Sequence, residues 1–174
     1  ASNVDITTLL TRQAVIDGVV NAFGGQLNLY VGEGQLTQPD GTAATWTPGA
    51  SPGGSVSVAI DASAAGAMYA GQIFIQATEE GAGVTLPDNL LSSGDIQITA
   101  DGDLVYRDAQ SQAGNVAITT TGAGSQVFSD GRTQAQGDVT VQSDGDTQVG
   151  DTIAGGNVTV ASHSGTLDTG DAQA

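Results

Sequence analysis

The chain of 174 residues has no cysteine and no lysine. Disulfides, thiol nucleophiles and thiolate metal sites are therefore excluded. Positive charge is confined to Arg12, Arg107 and Arg132, against 19 acids and a formal net charge of −16. A field of that sign repels nucleic-acid phosphates and anionic lipid headgroups, so neither is expected as a partner. Aromatic residues make up only 4% of the chain, which leaves few anchors of the kind that dominate protein interfaces. No apolar run reaches the length of a transmembrane helix, so no membrane insertion is expected. The chain carries no signal peptide; for an exported protein that segment is expected upstream.

What the chain has is 26 glycines and a phrase that returns. A glycine precedes a short alternating run in "GQLNL" (25), "GSVSV" (54), "GQIFI" (71), "GDIQI" (94), "GNVAI" (114), "GDVTV" (137) and "GGNVTV" (155). From Gly71 onward the period stays near 21 residues, in the range of solenoid repeats. Each copy puts apolar residues on one face, for example Val139 and Val141, and polar ones such as Thr140 on the other. A second apolar run follows after a turn: "GVTLP" (83), "GDLVY" (102), "SQVFS" (125), "GTLD" (165), with "TQVGDTIA" (147–154) less clear. Only "LLTRQAVIDGVV" (9–20) reads as either helix or strand.

One coil of short strands cannot bury its own apolar face, so the coils must stack. The expected fold is an all-β parallel β-helix of about 21 residues per coil. An antiparallel sandwich is the weaker alternative, because sandwiches do not repeat one phrase at a fixed period. The glycines are expected at corners with positive φ. Asp95, Asn115, Asp138 and Asn157 follow four of them and are expected to stack as turn residues. The repeat is interrupted at 33–53, where Pro39, Pro48, Pro52 and Trp46 gather around the turn signature "PDG". That stretch is expected to leave the stack as a hairpin or loop, with Trp46 packing it down or offering a surface for a sugar.

Two blocks carry a family likeness. "ASNVDITTLLTRQAVIDG" and "IDASAAGAMYAGQIFIQATEEGAGV" (60–84) resemble the later part of the secretion domain of two-partner secretion exoproteins. This family includes filamentous haemagglutinin-like adhesins and contact-dependent growth inhibition proteins of Gram-negative bacteria. "TQAQGDVTVQSDGD" and "IAGGNVTVASHSG" resemble the haemagglutinin-type repeats that follow such a domain. The resemblance implies a right-handed β-helix on the cell surface, secreted through an outer-membrane β-barrel transporter and folding outside the cell. It implies a division into 1–92 (later secretion domain) and 93–174 (haemagglutinin-type repeats continuous with it). The residues carrying the secretion-domain likeness are Ser2, Asn3, Val4 and Asp5, with Met68, Tyr69, Ala70 and Gly71. The family's early asparagine–proline motifs are absent, so an internal section beginning midway through the secretion domain is expected.

No catalytic constellation stands out in this segment. His163 is the only histidine and has no nucleophile pattern beside it. Asp101 with Asp103, and Asp144 with Asp146, form D-G-D pairs that suit turns for backbone reasons. They also carry the alternatives of a polysaccharide-active β-helix enzyme or a weak calcium site. The expectation is of a non-enzymatic fibre stalk with no cofactor, serving adhesion to cells, surfaces or biofilm matrix. The alternatives are the stalk of a growth-inhibition toxin, or direct recognition of a glycan or cell-surface receptor through the excursion around Trp46 or an outward sheet face.

Overall fold

A computed structural model describes residues 6–37, 45–49 and 56–174. Among these residues there is no helix: the chain winds as a parallel β-solenoid with three faces per coil. The first face holds Ile6–Thr11, the later parts of Val19–Val31 and Ala67–Ala77, then Ile96–Ala100, Val116–Thr120, Val139–Ser143 and Val158–Ser162. The second is a seven-stranded sheet running from Ala14–Val15 to Leu167–Thr169. The third runs from the early parts of Val19–Val31 and Ala67–Ala77 through Asn89–Ser92 to Ala172–Gln173. Because those two long strands turn a corner without a break, the first and third faces form one sheet of 12 strands.

Alternation along each strand decides what is buried. On the first face Leu27, Ile73, Ile96, Val116, Val139 and Val158 stack in register. From Ile73 onward these rungs are 23, 20, 23 and 19 residues apart, matching the period of the sequence. Leu29, Ile75, Ile98, Ile118, Val141 and Val160 form the next column. Burying a side chain of this size contributes roughly 1.5–3 kcal/mol. No coil has a core alone, and stacking supplies it.

The ambiguous stretch 9–20 is resolved into strands: it spans the end of Ile6–Thr11, all of Ala14–Val15 and the start of Val19–Val31. "TQVGDTIA" is likewise two strands, Thr147–Val149 on the second face and Thr152–Ala154 on the third. One copy of the phrase was misplaced. Gly54 and Ser55 lie outside the described residues, and the strand after them, Val58–Asp61, pairs with Ala14–Val15 and Gly83–Thr85 on the second face. Gln26 is stacked directly on Gln72, so Gly25 and Gly71 belong to neighbouring coils. The 45 residues between them include the interruption.

The glycines also have a different reason from the expected one. None of Gly71, Gly94, Gly114, Gly137 and Gly156 has positive φ. What they lack room for is a side chain. A Cβ on Gly71 would sit 2.6 Å from the Gly25 carbonyl oxygen, and one on Gly94 would sit 2.8 Å from that of Gly71. At Gly114, Gly137 and Gly156 it would strike the side-chain oxygen of Asp95, Asn115 or Asp138 in the coil below. Glycine opens the strand because the previous coil occupies the space a methyl would need, with its backbone carbonyl at Gly71 and Gly94 and with its Asx side chain at the three later copies.

Candidate interaction site at the hairpin and the coil corners

The corners bring the acids into use. Asp95 Oδ1 accepts the Asn115 backbone N–H at 2.7 Å, Asn115 Oδ1 accepts that of Asp138 at 2.8 Å, and Asp138 Oδ1 accepts that of Asn157 at 2.7 Å. Each Asx thus satisfies a donor of the following coil that no strand reaches, which is what its short oxygen-bearing side chain allows. The other corners use the same device: Asp103 takes the N–H of Gln126, Asp108 that of Arg132, and Asp146 that of Thr166. The Thr166 N–H, helped by its hydroxyl, holds the Asp146 carboxyl below its usual range. Asp103, Asp144 and Asp146 of the D-G-D pairs are therefore spent on coil-to-coil hydrogen bonds. Asp101 alone is shifted upward, by partial burial first and by the charge of Glu80 second. No group of three or more His, Cys, Asp or Glu among the described residues is arranged to hold a metal ion. His163 is exposed, and its backbone N–H bonds the Ser143 carbonyl.

The interruption is a hairpin on the stack. Gly34–Thr37 pairs antiparallel with Thr45–Pro48, placing Leu36 opposite Trp46. The Gly49 N–H bonds the Glu33 carbonyl at 2.8 Å, so the excursion returns to the corner it left. "PDG" (39–41) lies outside the described residues. Trp46 stacks on Tyr30 with ring centroids 5.7 Å apart, and Tyr30 touches Phe74 of the next coil at 5.4 Å. Tyr30 points outward from the first face, yet it is 8% exposed because the hairpin covers it. Gly34 lets this happen: a Cβ there would sit 2.6 Å from the Thr47 carbonyl oxygen and 2.7 Å from the Trp46 ring. The Trp46 Nε1 proton is buried with no acceptor.

Beneath the hairpin, Arg12 ties three successive coils. Its Nε donates to Glu79 Oε1 at 2.8 Å and its Nη1 lies 3.4 Å from Glu33. Glu79 is 5% exposed, so the guanidinium neutralises a carboxylate held away from water. Glu79 in turn raises the pKa of Arg12, chiefly through that hydrogen bond. A cleft of about 420 Å³ opens here, lined by Leu10, Thr11, Arg12, Glu33, Gly34 and Trp46.

Of the residues carrying the secretion-domain likeness, Ser2, Asn3, Val4 and Asp5 lie outside the described residues. Met68 and Ala70 are core residues of the third face, Tyr69 between them points outward, and Gly71 makes the corner. The sequence reading missed Tyr30, Phe74 and the pair Arg12–Glu79. Aligning "NLY" (28–30) with "FIQ" (74–76) by the strand period would have put both aromatics on the outer surface of adjacent coils.

The comparisons with known proteins follow this geometry. No protein-family model and no solved structure matches the chain. Among curated proteins, Toxin CdiA of Yersinia pestis is 35% identical over 118 residues, 67% of this chain and 3% of that protein. The tRNA nuclease CdiA-2 of Burkholderia pseudomallei (strain 1026b) is 34% identical over 105 residues, 60% of this chain and 3% of that protein. The tRNA nuclease CdiA of Escherichia coli (strain NC101) is 28% identical over 160 residues, 92% of this chain and 4% of that protein. These names overturn the expectation of a non-enzymatic protein, since two of the three relatives are enzymes by name. That expectation took the residues of one short segment as a guide to a whole protein. The chain spans 3–4% of the length of these relatives, and its homologues are CdiA contact-dependent growth inhibition proteins.

Proposed function

We propose that the chain is a stalk segment of a secreted CdiA-type exoprotein, exported through an outer-membrane β-barrel transporter of the two-partner kind and displayed on a Gram-negative cell. The stalk holds a toxin region, such as the tRNA nuclease in the relatives' names, at a distance from the producing cell. The observation that carries this reading is the in-register stack of coils from Ile73 onward in a chain 35% identical to a Toxin CdiA segment. Strand spacing of about 4.8 Å gives seven coils a length of roughly 30 Å. A fibre of this build lengthens in proportion to its coils.

The corner staples suit folding during export. When one coil is in place, Asp95 Oδ1 or Asn115 Oδ1 is already set to accept the next backbone N–H. Every coil therefore needs only the one before it as a template, and folding can follow the order in which chain leaves a pore. Without cysteine, nothing cross-links the chain during passage. Met68 and Ala70 are inside the folded solenoid, so the transporter would meet them only on unfolded chain. In this reading residues 1–92 end the secretion domain and 93–174 begin the repeats.

The test uses the full-length protein with its transporter, in co-culture with a sensitive strain. Removing residues 116–138, one whole coil, is expected to preserve secretion and growth inhibition. Removing 116–127, about half a coil, turns the remaining chain to the wrong face and is expected to abolish both. Equal tolerance of both deletions would overturn the stalk reading. An adhesin on the same stalk would bind neighbouring cells and leave their growth unchanged.

A further inference from the structure

For a chain of net charge −16, the outer surface of the first face is unusual in carrying no charge among its described residues. One outward column reads Asn28, Phe74, Gln97, Ala117, Thr140 and Thr159. The column two residues on, from Gln76 through Thr99 and Thr119 to Ala161, is uncharged as well, and Tyr30 before it is covered by the hairpin. Acids are kept to the two rims: Asp95 and Asp138 precede the strands of this face, and Asp101 and Asp144 follow them. The result is a strip of amides and hydroxyls fenced by carboxylates.

The fence decides which partners fit. Nucleic acid or an anionic lipid surface would bring phosphates against both rims. A second copy of the chain would bring carboxylate rims against carboxylate rims. A neutral partner meets neither cost. Amides and hydroxyls each donate and accept, which matches a ligand whose surface is mostly hydroxyl groups. Phe74 is half-buried against Tyr30, and it offers a flat apolar face at one end of the strip, the usual anchor for an amphipathic ring. At the other end a shallow cleft of about 430 Å³ is lined by Thr119, Thr121, Gln142, Ser162 and His163, with Asp144 of the rim at its edge. Outward positions recur every coil at about 4.8 Å, and most of them carry an amide or a hydroxyl. A linear polymer along the solenoid axis therefore meets polar groups at a regular spacing, though not the same side chain each time.

We infer that the outer surface of the first face is a docking surface for a neutral linear polysaccharide, laid along the solenoid axis and stacked on Phe74. Binding is weak per contact and gains from repetition along the strip. This site is independent of the stalk role: a stalk without it still spaces the toxin, and a bound glycan does not require the toxin.

The experiment is native electrophoresis of the 174-residue chain through gels containing a neutral linear β-glucan or the polyanion polygalacturonate. Retardation is expected in the β-glucan alone. Phe74→Ala is expected to weaken it about tenfold, the loss of one ring's stacking with its buried area. Because Phe74 also supports Tyr30, a second variant keeps the test sound: Gln97→Ala/Thr140→Ala removes only outward groups and is expected to weaken retardation several-fold, about the loss of two hydrogen bonds. Phe128→Ala, exposed on the second face, is the control and is expected to behave as wild type. The inference is overturned by no retardation of the wild type in β-glucan. Equal retardation in polygalacturonate, or a Gln97→Ala/Thr140→Ala variant that migrates as wild type, would overturn it equally.

Discussion

The coils around Ile73–Ala100 and those from Val139 onward fill the same interior by different means. At the first pair of columns the earlier coils place Ile73, Ile75, Ile96 and Ile98, and the later ones Val139, Val141, Val158 and Val160. At the third column Ala77 and Ala100 give way to Thr120 and Ser143. On the third face Met68 and Leu90 are followed by Ala109, Thr133 and Thr152. Hydroxyls enter this core only where they are bonded. Ser143 shares a hydrogen bond of 2.6 Å with Thr147, Thr133 one of 2.8 Å with Tyr106, and Ser125 donates to the Gly122 carbonyl at 2.6 Å. A solenoid turns a corner three times per coil, and each corner exposes carbonyls to the interior. The later coils line this space with more bonded hydroxyls, whereas the earlier coils fill most of it with larger aliphatic groups and use one hydroxyl, Ser92, on the Gly71 carbonyl.

The largest expected effect tests the aliphatic side of that comparison. Ile98→Ala should cost about 2–5 kcal/mol, and Val141→Ala, one column member two coils later, distinctly less. Denaturant midpoints of the two variants measure the difference; equal losses would mean that the two regions are packed alike. The hydroxyl side comes next. Thr133→Val removes the hydroxyl that Tyr106 bonds at 2.8 Å, leaving its buried phenol only Ser129, and should cost about 1 kcal/mol, with much of it restored in Thr133→Val/Tyr106→Phe. Burial raises the Tyr106 pKa from 10.0 to about 12, against the opposing pull of Thr133 and Ser129. The folded state thus holds its proton longer than the unfolded chain does. This contribution to stability is complete below pH 10 and is lost as pH rises toward 12. Tyr106→Phe should flatten the alkaline limb of a stability–pH curve.

The corner staples should matter less, because each is one hydrogen bond at the surface. Asn115→Ala removes the acceptor of the Asp138 N–H and should cost less than about 1 kcal/mol. Exchange of the Asp138 amide proton is the local readout. Smallest of all, Arg107→Ala should change stability by no more than about 0.5 kcal/mol. Its contacts to Asp88 at 4.0 Å and Asp130 at 3.9 Å are long and exposed. A large loss there would show that charge rather than packing distinguishes the second half.

The period and alternation of the sequence were enough for the fold, because a strand buried on one side writes its geometry directly into every second residue. Val139, Thr140 and Val141 could be assigned in, out and in without coordinates. Short strands such as Leu104–Val105 were harder, since two residues carry no period. Gly54 was misassigned because a glycine before an alternating run looks the same on any face. The hairpin was signalled by Pro39, Pro48 and Trp46, but not its seat on Tyr30. That contact joins residues 16 apart through a register that the interruption itself conceals.

The sequence alone determined that the coils repeat, which side chains point inward, and that the acids belong to turns. Each is a local property, repeated until it rises above chance. Only the tertiary structure decided the rest: that Gly114 is glycine because Asp95 lies beneath it, that Arg12 neutralises Glu79, and that the acids fence a strip free of charge. Those facts depend on which residues lie about 20 or more positions away but one or two strand spacings apart, and stacking, not chain neighbourhood, sets that distance.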